Sequence, residues 1–325
     1  MKVLVTGCAG LIGSHLVDDL LASNYRVIGI DNLSYGSLNN IKAALKSKNF
    51  EFIKTDVQNI SKALKAYSFD LIYHLASYKK PINQIVKSSK VIEENMLMTI
   101  DVVKYCLLNN CNLIFTSTSD VYGNSVNFDE NEKITIGPPT NERYSYAMSK
   151  LISEQYIFNE INQSNLRASI VRVFGCASER SKPSWSAGHV PLFIYNSLKG
   201  LDINIHGDGL QTRSISSARD ISNGLSLMSN RLKDVNSEIL NLGTNEQTTV
   251  KEVAEYILSK TNSKSKINFI ERKKIFGDYE EILVRFANIS KAEKLINFKI
   301  SNMTFDVIDK MIYEFSNPNS EHYIK

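Results

Sequence analysis

Apolar and polar residues fall into blocks along this chain, and the blocks have two characteristic lengths. Short apolar runs of strand length occupy Lys2–Thr6, Arg26–Asp31, Glu51–Lys54, Asp70–Leu75, Asn112–Ser117 and Ala168–Phe174. Between them lie longer stretches with helical spacing, notably Ile12–Ser23, Ser88–Leu108 and Tyr144–Asn162. Alternation of this kind predicts an α/β fold, a doubly wound parallel sheet covered by helices on both faces. After about Phe174 the pattern loosens into loops over Ser178–Gly188, a helix near Val190–Lys199 and short strands, which predicts a smaller second domain. The segment Ile215–Leu242, helix-like over Ala218–Ser229 and strand-like over Ile239–Leu242, returns to the first domain. The division expected is therefore residues 1–174 plus about 213–243 against about 175–212 plus 244–325. Residues after Ser316 read as a polar tail, and no internal repeat is evident.

Two junctions carry chemistry. The first strand runs into Thr6-Gly7-Cys8-Ala9-Gly10-Leu11-Ile12-Gly13, where the first helix opens. Gly7 allows the tight turn, Gly10 lets backbone approach a pyrophosphate at the helix N-terminus, and Gly13 lets helix and strand pack closely. Asp31 ends the second strand 18 residues after Gly13. A carboxylate there accepts hydrogen bonds from a ribose diol and repels a 2′-phosphate, which points to a Rossmann-type site that takes NAD rather than NADP. Cys8, inside the loop, reads as a small space-filler.

The second junction is Tyr146-Ala147-Met148-Ser149-Lys150, downstream of Thr118-Ser119-Asp120-Val121-Tyr122-Gly123. A free tyrosine, with a pKa near ~10, is a poor base at neutral pH. A lysine four residues on shares its helical face, so its charge favours the phenolate. With Thr118 holding a substrate alcohol, such a centre deprotonates the alcohol while its hydride leaves to a cofactor.

Composition narrows the class. With 325 residues and 43% hydrophobic content the chain buries one large core or two smaller ones. A net charge of +4, with Lys and Arg spread rather than striped, argues against a nucleic-acid partner. Cys8, Cys106, Cys111 and Cys176 have no metal-ligand spacing, so no metal is expected. The N-terminus lacks a signal peptide and no run is long enough for a bilayer, so the expectation is a cytoplasmic protein with no membrane partner and reduced thiols. Glu271-Arg272-Lys273-Lys274 is either a solvated loop or part of an anion-binding rim.

Taken in order, TGCAGLIG, IDNLSYGS, Asp56-Val57, His74-Leu75-Ala76-Ser77, STSDVYG, YAMSK and Gly207–Arg213 (GDGLQTR) make the chain resemble an extended short-chain dehydrogenase/reductase of the nucleotide-sugar epimerase/dehydratase family. The resemblance covers nearly the whole chain. It implies a cofactor site of Gly7, Gly10, Leu11, Ile12, Gly13, Asp31, Asn32, Asp56, Val57, Leu75, Ala76, Ser77, Lys79 and Asn95, completed by Tyr146 and Lys150. Asp56 would contact the adenine, Lys79 would reach the cofactor and Asn95 would steady the site. Substrate contacts implied are Thr118, Gly175, Val190, Arg213 and Arg285, with the Arg213 guanidinium on the diphosphate. It further implies oxidation of a sugar C4 hydroxyl by Tyr146 with tightly held NAD, and a homodimer built on a four-helix bundle. The apolar faces of the two long helices fit that pairing, and fit equally a role in covering the sheet.

The stretch Ser117–Glu154 is most similar to the branch holding hexuronate epimerases and UDP-glucuronate decarboxylases. Ordinary 4-epimerases of the family mostly carry a neutral residue at Asp120, so Asp120 pulls towards elimination or decarboxylation, unless it merely caps a turn. Ser119 breaks the acid pair of 4,6-dehydratases. Arg285 aligns with an arginine that meets a substrate carboxylate in decarboxylases, or is a surface arginine. Two departures stand out. Phe174-Gly175-Cys176-Ala177-Ser178-Glu179-Arg180 replaces the family's F-N-x-x-G-P-R, removing an amide that bonds a phosphate. The late arginine before Gly277-Asp278 is missing, with Arg272 and Lys274 as substitutes. The leading expectation is an NAD-dependent C4 epimerase of a UDP-sugar. A decarboxylase or 4,6-dehydratase on the same 4-keto intermediate is the alternative, and a non-catalytic NAD-binding regulator is the alternative of another class.

Overall fold

The fold is described from a computed structural model, for residues 1–78, 88–184, 188–276 and 282–324. Lys79, Gly277-Asp278 and part of the Ser178–Gly188 loop therefore lie outside the described residues. Six strands come first: β1 (Lys2–Thr6), β2 (Arg26–Asp31), β3 (Phe50–Lys54), β4 (Leu71–His74), β5 (Asn112–Thr118) and β6 (Ala168–Val173). Short strands β7 (Cys176–Ala177), β8 (Ile203–His206), β9 (Thr212–Arg213) and β10 (Ser216–Ser217) precede β11 (Ile239–Leu242), β12 (Thr248–Thr249) and β13 (Ile267–Ile270). The central sheet runs β11-β6-β5-β4-β1-β2-β3, with every pairing parallel. Val3 of β1 sits between Val27 of β2 and Leu71 of β4 in register. Strands such as β1 and β4 are apolar on successive residues because helices cover both faces.

Those helices divide by face. α1 (Leu11–Ala22), α6 (Ala218–Ser229) and α9 (Ser290–Ile296) cover one side, burying Leu16, Leu20, Ile221 and Leu225 against β1 and β4. The single turn α2 (Ile60–Ala63) with α3 (Ser88–Asn109) and α4 (Ser145–Ser164) covers the other, burying Val102, Cys106 and Ile157 against β4, β5 and β6. Each such fully buried aliphatic side chain contributes roughly 1.5–3 kcal/mol. A third core joins β8 and β13 to α5 (His189–Leu198), α7 (Val250–Thr261) and α10 (Thr304–Ser316) through Phe193, Ile257, Met311 and Phe315. α8 (Arg272–Phe276) lies just after β13. Stop signals are local. Asn165, Asn262 and Asn297 end α4, α7 and α9 in the left-handed region, and a Thr249/Glu252 capping box starts α7.

The segment after Ser316 is polar but not detached. The Ile324 amide donates to the Phe315 carbonyl at 3.0 Å, its side chain packs on the third core, and Glu321 pairs with Lys42 at 2.9 Å.

Candidate active site

At the carboxyl ends of β1, β2 and β4 the strand order reverses, and a cleft opens there. Gly7 turns with φ +70°, and a Cβ on it would lie 2.9 Å from the Ala76 backbone. A Cβ on Gly13 would lie 2.2 Å from the Gly7 carbonyl oxygen, so only glycine lets α1 start this close to β1. Thr6 Oγ1 accepts from the Leu75 and Ala76 amides and sits 2.8 Å from His74 Nδ1, tying the ends of β1 and β4. Asp31 accepts from the Ala9 amide at 3.0 Å and the Leu33 amide at 2.7 Å, which aims its carboxylate along the glycine loop. Asn32 donates to Asp56 at 2.5 Å. The cavity here, about 470 Å³, is lined by Gly7, Gly10, Asp31, Asn32, Asp56 and Val57 together with Leu75, Ala76 and Ser77. No side chain caps the first turn of α1, whose N-cap is Gly10. A cradle with no room for side chains at Gly7, an open helix N-terminus and an acid at the end of β2 fit NAD.

Leu75 and Ser77 also line a second cavity of about 410 Å³, so the cleft is continuous. Leu11 and Ile12 border this second cavity rather than the first, and it brings together Thr118, Asp120, Tyr146 and Lys150 with Gly175, Val190, Arg213 and Arg285. Gly13 and Asn95 line neither. Asn95 is buried and braces instead: it donates to the Tyr78 carbonyl and Ser149 Oγ, both at 3.0 Å, and accepts from the Tyr78 amide at 2.8 Å.

The electrostatics of the pair differ from the expectation. Lys150 Nζ donates to the Thr116 carbonyl at 2.9 Å and lies 4.6 Å over the Phe115 ring. Burial pushes the ammonium down to about 7, opposed by Glu154 one turn further along α4. Burial likewise pushes the Tyr146 phenol up to about 12, with Asp120 and Cys176 adding and a hydrogen bond with Ser77 opposing. Desolvation therefore outweighs the favourable field that the four-residue spacing suggested. Cys8 fits the space-filling role: it is fully buried, and a Cβ on Gly29 of β2 would lie 2.6 Å from its sulfur.

Asp120 and Arg285, 165 residues apart, form an ion pair on the cavity wall. Two features bring their loops together. Tyr122, Phe128, Phe174 and Phe286 pack ring on ring at centroid distances of 5.3–5.9 Å. Beneath them Asn241 accepts from Tyr122 Oη and donates to the carbonyls of Phe128 and Asn288. Arg285 is thus no surface arginine, and Asp120 faces a cation rather than only capping a turn.

Alongside them, Gly175 is glycine because a Cβ would meet the Ser214 carbonyl oxygen at 2.7 Å. Arg213 lines the cavity, with Nη1 donating to the Thr212 and Ile282 carbonyls at 2.8 Å. Arg272 does not sit in a freely solvated loop. It donates to Gln211 at 2.7 Å and to the His206 carbonyl, bracing the Gly207–Gln211 turn. Three further polar residues of the cavity, Ser117, His189 and Ser214, escaped sequence reasoning. A glycine followed by histidine at the start of an apolar helix was the one available signal for His189.

A glycine cradle at a parallel-sheet switch point, continuous with a cavity holding a buried phenol and ammonium, defines a dinucleotide-dependent α/β enzyme. Residues 3–243 match the model of the NAD dependent epimerase/dehydratase family, and the chain belongs to that family. It is 30% identical to the UDP-N-acetyl-alpha-D-glucosaminuronate decarboxylase of Bacillus cytotoxicus, over 91% of this chain and 92% of that protein. It is also 30% identical to UDP-glucuronic acid decarboxylase 1 of Danio rerio, over 97% of this chain and 72% of the relative. Among solved structures, UDP-glucuronic acid 4-epimerase from Bacillus cereus in complex with UDP-glucuronic acid and NAD superposes with a TM-score of 0.85. Its identity is 26%, covering 96% of this chain and 98% of that one. The chain is therefore an NAD-dependent enzyme of nucleotide-sugar chemistry. Among the described residues no helix is long and apolar enough to cross a membrane.

Proposed function

We propose that the enzyme oxidises and re-reduces C4 of a UDP-sugar, with inversion, Tyr146 acting as the base. The carrying observation is the grouping of Tyr146 and Thr118 in a cavity continuous with the glycine-loop cleft. Tyr146 takes the C4 hydroxyl proton and Thr118 holds the same oxygen. When bound, NAD would supply the hydride acceptor and donor that lets C4 pass through a ketone, and its positive charge would favour the phenolate. Gly7 and Gly10 would admit its pyrophosphate, with Gly13 letting α1 start close to β1, Asp31 would take its adenosine ribose and Asp56 the adenine. Lys150, held on Thr116, would meet the nicotinamide ribose. Arg213 and Val190 would contact the substrate beyond the sugar. We infer the same domain division as above, supported by the separate third core and departing from it at α9, which lies within 244–325 but packs on the first core, and a homodimer through α3 and α4.

Decarboxylation of a UDP-hexuronate is the second reading, favoured by the position of Arg285. A C4 ketone makes a C5 carboxylate a β-keto acid, so the C5–C6 bond breaks as its electron pair moves towards the ketone and C5 takes a proton. Arg285 is placed to hold the carboxylate, releasing Asp120 from its ion pair for that proton transfer. Incubation of the protein with UDP-glucuronate, UDP-glucose and UDP-N-acetylglucosamine, followed by mass spectrometry and NMR, tests both readings. A product of unchanged mass with inverted C4 is expected, carbon dioxide release marks the second reading, and no product from any UDP-sugar refutes both.

A further inference from the structure

Buried polar atoms without partners are rare and demand an explanation. Among the described residues, four such atoms belong to residues that also line the reactive cavity: Ser117 Oγ, His189 Nε2, Ser214 Oγ and Arg285 Nε. Ser117 adjoins Thr118 and Arg285 pairs with Asp120, so both sit at the reacting end. His189 and Ser214 have no role in the C4 chemistry.

Their placement is fixed from several sides. Ser214 is only 3% exposed; its amide donates to the Arg285 carbonyl at 2.9 Å, and its own carbonyl fills the space beside Gly175. His189 opens the ten-residue α5 directly after Gly188, whose φ of +94° turns the chain into the helix with no side-chain cap. Its ring packs edge-on against Phe193 at a centroid distance of 5.5 Å. Burial, and then the Arg213 cation, push the imidazole down to about 4, so it is neutral at physiological pH. A neutral ring with Nε2 protonated is a donor without charge. One cation, one open helix N-terminus and two unpartnered neutral groups suit a ligand with several anionic oxygens.

We propose that His189 and Ser214 are substrate-binding residues, donating Nε2–H and Oγ–H to oxygens of the substrate's diphosphate on the wall where Gly175 leaves no side chain. The assignment rests on the nucleotide-sugar reading above.

Calorimetric titration of the NAD-loaded protein with UDP tests it, on wild type and on His189→Val, His189→Asn and Ser214→Ala. His189→Val and Ser214→Ala should each weaken UDP binding roughly ten-fold, as loss of a hydrogen bond to a charged group does. His189→Asn, which keeps an N–H, should recover most of that loss. With a UDP-sugar that is turned over, KM should rise by more than kcat falls. Unchanged melting temperature and bound-NAD fluorescence identify a folded variant, and Ser214→Ala carries the test if His189→Val does not fold. Equal UDP affinity in wild type and the folded variants overturns the assignment alone. A wild-type protein that binds neither UDP nor any UDP-sugar overturns it together with the reading beneath it.

Discussion

Burial moves the two central side chains towards neutrality by shifts in opposite directions, Tyr146 up to about 12 and Lys150 down to about 7. A phenol so placed is a poor base until positive charge arrives, which ties deprotonation of the substrate to an occupied cofactor cleft. Tyr146→Phe removes the proton acceptor and nothing that faces the adenosine end. It should lower turnover by about 10³-fold, the usual scale for a lost general base, while NAD stays bound. Product formation and cofactor fluorescence on one sample check this; near-normal activity would falsify the assignment of Tyr146. Asp120 and Arg285 show the limit of residue-by-residue reading. Each stands out through the family resemblance, but their ion pair depends on loops far apart in the chain.

Among the elements, α4 is held to the sheet by a buried ion pair. Arg172 of β6 makes a forked contact to Glu154 of α4, at 2.7 Å for Nη2 and 3.1 Å for Nε, and both side chains are 3% exposed. Removing one partner strands the other charge out of water, which typically costs about 3–5 kcal/mol. Glu154→Gln should therefore lower stability by that amount in urea unfolding. It should also depress the Lys150 ammonium further, since Glu154 is the group that supports it. An unchanged unfolding midpoint would refute the importance of the pair. The elements themselves were legible. β1, β2, α6 and β11 match the expected bounds, and β3 to β6 with α1, α3, α4 and α5 agree within two residues, because apolar runs and helical spacing record burial directly. What escaped was the short α2, the helices α7 to α10 of the C-terminal part and the packing of the tail around Ile324.

Two predictions belong to the whole molecule. Burial lowers the pKa of His74 to about 3, and of His15 and His189 in the same direction. Below ~6.5, their unfolded value, the unfolded chain takes up protons that the native state refuses. Stability should then fall as pH drops, by on the order of 1.4 kcal/mol per pH unit for each histidine. Asp19, Asp31 and Glu130, raised by burial, act in the opposite sense at lower pH. Urea midpoints between pH 6.5 and about 5.5 isolate the histidine effect, and a flat profile would count against it. Second, α3 and α4 pack on one another yet leave Leu97 42% and Ile152 47% exposed. If the homodimer forms through these helices, Leu97→Asp with Ile152→Asp should yield monomers in sedimentation velocity. A dimer that survives both changes places the interface elsewhere.

The sequence by itself determined the parallel α/β architecture, the glycine cradle with Asp31, and the Tyr146/Lys150/Thr118 centre. The glycine cradle lies within one strand–turn–helix unit and the Tyr146/Lys150 pair within about one helical turn, where spacing is geometry, and Thr118 joins the pair through the order of the family's motifs. Only the tertiary structure decided that Asp120 faces Arg285, that Ser214 backbone forbids a side chain at Gly175, and that His189 and Ser214, each with a buried polar atom lacking a partner, border one cavity. Those relations join segments tens to more than a hundred residues apart. They follow from ring packing around Phe128, the hub at Asn241 and the return of the chain through β9 to β11, and pairing of that kind leaves no periodic trace in the chain.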